Sequence, residues 1–152
     1  PGDASPTPTD TDTDEPAPAE QLEMRRQESL EVATFDGHWA VQLASKYDGQ
    51  VDPYEFTENN THTFYLADIW REHQRLTDLL AAHETPVYLF DARDFGRQRE
   101  RHAPYWVTVA DPGTLETEEE AWEFCASLFP DRTGDRLENS CVPRELLPPF
   151  WP

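Results

Sequence analysis

The stretch WAVQLAS, residues 39–45, decides how the rest of this 152-residue chain can fold. Its larger apolar residues Trp39, Val41 and Leu43 occupy every second position, which is the pattern of a half-buried β-strand. A second strand pattern, YWVTVA, occupies residues 105–110. An amphipathic segment follows each of the two strands, so we expect the chain to contain two similar halves.

The hydrophobic pattern predicts six main elements. Apolar residues three and four positions apart predict a helix over residues 63–82, and a capping box of Thr117 and Glu120 introduces a second helix. The predicted order is strand 38–46, helix 63–82, strands 87–90 and 105–110, helix 118–129 and strand 140–146. We therefore predict an α+β fold of the ferredoxin-like βαββαβ type, a four-stranded antiparallel sheet with both helices on one face. The opposite face would be open.

The composition divides the chain into three parts. Residues 1–35 begin with a run of Pro, Thr, Asp and Ala, so we predict a disordered acidic linker or stalk, with a short helix over residues 20–32 leading out of it. Residues 36–147 form the predicted domain, and residues 148–152 form a tail that is either mobile or laid on the surface. Any membrane attachment is expected to come from an anchor upstream of Pro1.

Charge and motifs narrow the classes of function. The net charge of −19 disfavours nucleic acids and anionic lipid surfaces as partners. The five histidines form no HExxH or HxH pattern, and the chain has no GxSxG, P-loop or GxGxxG motif. We predict no enzymatic activity, no cofactor and no metal, although an acid pair assembled from distant residues is an alternative that the sequence leaves open.

The two cysteines, Cys125 and Cys141, have neither a CxxC partner nor a metal-like spacing to a histidine. A disulfide between them would close a loop of about fifteen residues and contribute roughly 3 kcal/mol. The alternative is a pair of buried thiols. We favour the disulfide and an oxidising compartment.

The chain resembles the SPOR domain, a peptidoglycan-binding module of bacterial envelope proteins. Residues 39–45 resemble its opening strand, residues 105–110 and 118–125 its third strand and second helix, and the segment CVPR, residues 141–144, its closing strand. The resemblance covers about residues 37–147 and implies binding of glycan strands that lack stem peptides, without catalysis. The chain departs from the family at Ala110, where glycine is usual, in a longer insertion over residues 47–61, and in its acidity.

Side-chain alternation predicts a ligand surface on the open sheet face. If Val41, Leu43, Val107 and Val109 face the helices, their neighbours, Ala44 among them, face outward. The predicted glycan-binding residues are Gln42, Tyr88, Phe90, Trp106 and Thr108. Aromatic rings with an amide would suit stacking against sugars. The alternative is that the long loop or the C-terminal Phe150 and Trp151 cover this face.

Arginines concentrate in the segment between the second and third strands. The predicted anion-binding or partner-binding residues are Arg93, Arg97, Arg99, Arg101 and Arg144, with His102 beside them, because guanidinium groups hold carboxylates and phosphates bidentately. The alternative is internal pairing with Asp91, Asp94 and Glu100.

The sequence thus predicts a monomeric, non-catalytic extracytoplasmic module in the cell envelope or secreted, whose first partner is cell-wall glycan. The alternative is a protein-interaction or sensor domain of a membrane-anchored envelope protein or receptor kinase. A solvent-exposed aromatic sheet face favours the first hypothesis, and a sheet face covered by the long loop or the C-terminal tail favours the second.

Overall fold

The computed structural model describes residues 15–152; the predicted stalk residues before them lie outside this part of the chain. The helices are α1 (Pro18–Val32), α2 (Leu66–Ala81), α3 (Glu118–Leu128) and α4 (Gly134–Ser140). The strands are β1 (Trp39–Lys46), β2 (Gln50–Val51), β3 (Thr63–Phe64), β4 (Val87–Asp91), β5 (Trp106–Ala110) and β6 (Val142–Glu145). A 3₁₀ turn follows β4 at Ala92–Asp94. None of the helices in residues 15–152 is long and apolar enough to cross a membrane.

The main sheet has four strands in the order β4-β5-β1-β6, and every neighbouring pair is antiparallel. This confirms the predicted α+β class and the four-stranded antiparallel sheet. The two short strands β2 and β3 pair with each other inside the long excursion between β1 and α2.

Helices α2 and α3 pack against the same side of the sheet, which we call the helix face. Leu80 of α2 and Ala121 of α3 are fully buried there with Val41. The predicted disulfide is confirmed, since Cys125 of α3 is bonded to Cys141 just before β6.

A β-bulge changes the register in the middle of β1. Gln42 pairs with Val109, but Ala44 pairs with Thr108, so Leu43 is the extra residue. Val41, Leu43 and Ala44 all join the helix-face core as a result. The prediction that Ala44 points outward was wrong, because a regular two-residue alternation does not continue through a bulge.

The opposite side of the sheet, the second face, is covered rather than open. Ala40, Val107 and Val109 are 0–1% exposed and pack in one cluster with Phe95 and Leu146. The covering groups come from the segment after α1, from the segment after β4 and from the residue after β6. An antiparallel sheet commonly packs one face on the core and exposes the other face to water. Here both faces are covered, so any ligand surface is expected at the margin of the sheet.

Helix α1 covers the free edge of strand β4. The Ser29 hydroxyl accepts a hydrogen bond from the Leu89 backbone N–H (2.9 Å), and the Arg25 guanidinium donates to the Val87 carbonyl. Leu22 is fully buried against Leu89 and its neighbours. The domain boundary predicted at residue 35 is therefore corrected: α1 belongs to the folded unit, starting with a proline in its first turn, where the missing N–H costs nothing.

The other sheet edge is β6, and it is protected by its own sequence. Pro143 has no N–H to offer a further strand, and the Leu147 N–H donates to the Glu145 carbonyl. The last residues bond back to the loop after β4: the Phe150 N–H donates to Gly96, and the Phe150 carbonyl accepts from the Gln98 N–H.

Candidate functional site

The five predicted glycan-binding residues do not share one face. Gln42, Tyr88 and Phe90 lie on the second face, but Trp106 and Thr108 lie on the helix face. The Thr108 hydroxyl accepts a hydrogen bond from Nδ1 of His73 on α2 (2.9 Å), and Trp106 packs among buried side chains of the helix face. The predicted orientation of β5 was wrong because both of its faces are buried, so an alternating pattern cannot tell which face the helices cover.

The His73 ring also fixes how α1 and α2 meet. The Nε of Arg25 donates to Nε2 of His73 (3.2 Å), so the ring is neutral and its proton is on Nδ1, which donates to Thr108. Burial, reinforced by the Arg25 charge, lowers the pKa of His73 to about 3. This histidine is a structural link and is not available for proton transfer near neutral pH.

The aromatic platform predicted on the second face does not form at the centre of the sheet. Phe90 is fully buried, with its ring 5.3 Å from Phe35 and 5.4 Å from Phe95. Tyr88 is half-buried, and the Gln42 amide oxygen accepts a hydrogen bond from Arg144. Ring surface at this position is therefore used for packing.

A different aromatic cluster lies at one end of the second face. The Tyr47 ring is 5.1 Å from Tyr105 and 4.6 Å from His102, and the Arg101 guanidinium lies 5.8 Å from the Tyr105 ring. The sequence contained a signal for this cluster. Lys46 ends β1 opposite Trp106, which begins β5, so the residues just outside the two strands must also be neighbours.

Of the five predicted arginines, one is paired with a carboxylate, and the other four have no carboxylate partner among the described residues. Arg93 binds Asp91 through Nη2 (2.7 Å) and Nε (3.1 Å), as the internal-pairing alternative proposed. Burial alone would raise the pKa of Asp91, but the hydrogen bonds from Arg93 outweigh it and the pKa is lowered. Within residues 15–152, no carboxylate lies within salt-bridge distance of the other predicted arginines, which are Arg97, Arg99, Arg101 and Arg144.

Three of the predicted arginines and the chain terminus form a groove of about 380 Å³. We call it the arginine groove; it is lined by Arg93, Arg99, Arg101, His102 and Trp151, with Glu100 as its one carboxylate. The Trp151 side chain is 67% exposed at the edge of the groove. The indole surface here is accessible beside positive charge, which makes the groove suited to an anion attached to an apolar or ring-shaped group.

Arg144 connects this groove to the second face. Its guanidinium lies 4.6 Å from the Phe95 ring and donates to Gln42. Burial, followed by the positive charge of Arg101, lowers the pKa of Arg144, yet a guanidinium stays protonated at any physiological pH. The structure thus holds a second positive charge near Arg101 although the two repel each other, which strengthens the local field of the groove.

A buried ion pair lies at the end of β1, between the sheet and helix α2. Lys46 contacts Glu72 on α2 (Nζ to Oε1, 2.7 Å) and Asp52 in the following loop (Nζ to Oδ2, 3.3 Å), and all three residues are buried. Burial raises the pKa of Glu72, and the Lys46 charge opposes that shift. The sequence pattern did not indicate this pair, because no local signal connects a strand end to a helix residue.

In the described part of the chain, no group of three or more His, Cys, Asp or Glu side chains is placed to hold a metal ion. Comparison with known proteins adds no assignment: no family model matches the chain, and neither a curated protein nor a solved structure shows significant similarity to it.

Proposed function

We propose that this chain is a non-catalytic, extracytoplasmic binding module that recognises an anionic partner through the arginine groove. The observation that carries the proposal is the clustering of Arg93, Arg99 and Arg101 around one groove in a chain of net charge −19. A disulfide supports an oxidising compartment for the domain.

The local charge of the groove matters more to a bound group than the charge of the whole chain. Charges more than about 8–10 Å away are largely screened at physiological ionic strength, whereas guanidinium groups in the groove can contact the ligand directly. Arginine forks hold carboxylates in a planar, two-bond geometry. Trp151 and the Tyr47–Tyr105 pair would add apolar contact area beside the charge.

The first candidate partner is an acidic segment of another protein, as in a protein-interaction or sensor domain of an envelope protein or receptor kinase. The covered second face supports this candidate, because the sheet offers little accessible ring surface to a sugar. A ferredoxin-like arrangement is part of the proposal; the order β4-β5-β1-β6, with the first and third main strands central, supports it.

The second candidate is cell-wall glycan, in line with the SPOR resemblance. Aromatic side chains next to arginines favour it, since Tyr105 and Trp151 offer surfaces for stacking sugar rings near positive charge. Glycan strands that lack stem peptides expose carboxylates, which the arginines would bind.

The test uses an Arg99→Ala, Arg101→Ala double variant. The matched control is Arg71→Ala, Arg136→Ala, which removes two exposed arginines elsewhere. Binding is measured to a poly-glutamate peptide by calorimetry, and to insoluble sacculi with and without amidase stripping by co-sedimentation.

Loss of peptide binding by about tenfold or more in the groove variant alone supports the protein partner. Sacculus binding that stripping enhances and the groove variant abolishes supports the glycan. If the groove variant binds both materials as well as the control does, or if the unmodified chain binds neither, the arginine groove is not the recognition surface.

A further inference from the structure

A cavity of about 180 Å³ lies between the end of β1 and helix α4, on the side away from β5. It exists because β6 pairs with β1 only as far as Gln42, while β1 continues to Lys46. Three residues with carboxamide side chains, Gln42, Gln50 and Asn139, line it together with Ser45, Asp52 and Glu138. We call it the carboxamide cavity.

Two of these carboxamides are oriented by partners that allow only one assignment. The Gln50 side-chain oxygen accepts the Tyr47 backbone N–H (3.1 Å), so the other end of this amide is its Nε2 donor. The Asn139 Nδ2 donates to both oxygens of the Asp52 carboxylate (3.1 and 3.2 Å), so its other end is the Oδ1 acceptor. Neither amide can be turned over without placing donor against donor or acceptor against acceptor.

The third carboxamide follows the same rule. The Gln42 oxygen accepts from the Arg144 guanidinium, which can only donate, and so its Nε2 is left without a partner. Across residues 15–152, the residues that line the cavity therefore carry two donors, on Gln42 and Gln50, and one acceptor, on Asn139, that form no other hydrogen bond.

Lys46 is the one cation among the residues that line the cavity, and it is already paired. Lys46 is neutralised by Glu72 and Asp52, and Asp52 also accepts from Asn139. The remaining carboxylate of the lining, Glu138, is exposed, where water screens it. A ligand that carries a net negative charge would find no free counter-charge in the wall.

We propose that the carboxamide cavity binds a neutral small molecule that carries hydroxyl or carboxamide groups. Both groups donate and accept hydrogen bonds, so one molecule can serve the two donors and the acceptor together. The volume holds several water molecules or one small polar molecule in their place. This inference does not depend on the arginine groove, which lies among other residues.

The test is a titration of the isotopically labelled chain followed by the side-chain NH₂ signals of Gln42, Gln50 and Asn139. The probes are N-acetylglucosamine, glucose and N-acetylglycinamide, with glucuronate as a charged comparison. We expect at least one neutral probe to shift these signals with saturation. If glucose shifts the signals and N-acetylglycinamide does not, the cavity recognises hydroxyl groups. If only N-acetylglycinamide shifts them, the cavity recognises carboxamides. N-acetylglucosamine carries both groups.

The sharpest variants are Gln42→Glu and Gln50→Glu, because each keeps the oxygen that accepts from Arg144 or Tyr47 and converts the free donor into an acceptor. The double variant Gln42→Glu, Gln50→Glu is expected to raise the Kd of the probe that binds at least about tenfold. The control Gln74→Glu adds one negative charge, as each single variant does, at an exposed position on α2 and should leave the Kd unchanged. The single Gln50→Glu variant repeats the test if the pair perturbs the backbone spectrum.

Three results would overturn the inference: none of the neutral probes shifts the three NH₂ signals, the Gln→Glu variants bind as tightly as the unmodified chain, or glucuronate binds more tightly than glucose. The first two would show that the free donors contact only water, and the third that the cavity selects charge.

Discussion

Reduction of the disulfide between Cys125 and Cys141 is expected to lower the thermal stability of the domain by a calculable amount. Both cysteines are buried, at 0% and 1% exposure, so the two thiols would stay in place and open no cavity of consequence. The main effect of reduction is therefore on the unfolded chain, which regains the freedom that the cross-link removes.

The separation of 16 residues sets the magnitude. In the chain-entropy description, a loop of this length corresponds to about 3 kcal/mol at 25 °C. With an unfolding entropy of about 2.1 cal/mol/K per residue, a domain of this size should lose about 10 °C in Tm.

The assay is differential scanning calorimetry of the oxidised chain and of the chain held in reductant, with free thiols counted in each sample. A Cys125→Ala, Cys141→Ala variant is the control, because its Tm should not respond to reductant. If two thiols are titrated and the Tm of the unmodified chain falls by less than about 3 °C, the loop-entropy reasoning fails for this protein.

Three further predictions concern buried polar groups. Burial lowers the pKa of His73 to about 3, so the stability contributed by the neutral ring is fully present above pH 6.5 and is lost as pH falls. About 3 kcal/mol should disappear by pH 4.5, and His73→Gln should remove that part of the acid sensitivity in urea unfolding. Ser29→Ala leaves the Leu89 N–H without its acceptor and should cost about 1–3 kcal/mol in the same assay. Lys46→Met leaves Glu72 buried without its counter-charge and should cost about 3–5 kcal/mol, much of which Lys46→Met, Glu72→Leu should recover.

Each of these has a matched control. His83→Gln, Ser127→Ala and Gln74→Met change comparable side chains at exposed positions and should stay within about 0.5 kcal/mol. The reasoning fails for His73 if its variant keeps the full acid sensitivity. It fails for Ser29 if its variant matches the control, and for Lys46 if the double variant is no more stable than the single one.

Local patterns were sufficient for the order of the main elements and for the cysteine pair. The alternation in β1 and the apolar stripe of α2 each reflect one buried face, and that is what a periodicity measures. The same logic failed on β5, where Val107 and Val109 are buried on one face and Thr108 on the other. A strand buried on both sides carries no information about which side holds the helices.

The candidate sites were harder to predict because their geometry depends on distant residues. Helix α1 was assigned to the linker since its attachment is mostly polar, through Ser29 and Arg25, and leaves only a weak apolar pattern. Asn139 and Asp52, which orient the carboxamide cavity, are 87 positions apart. The arginines were visible as a cluster in the sequence, but only the folded chain brings Trp151 beside them.

The way the two sheet edges are protected has a consequence for synthesis of the chain. An edge strand that is synthesised before the segment that covers it can pair with a neighbouring nascent chain. Here α1, which covers β4, is translated before it, so the cover already exists when β4 emerges; the hydrogen bond between Ser29 and Leu89 spans 60 positions in that direction. The last strand, β6, carries Pro143 within itself, so this part of its protection is made together with the strand. Neither edge therefore needs to be exposed while the chain is being made.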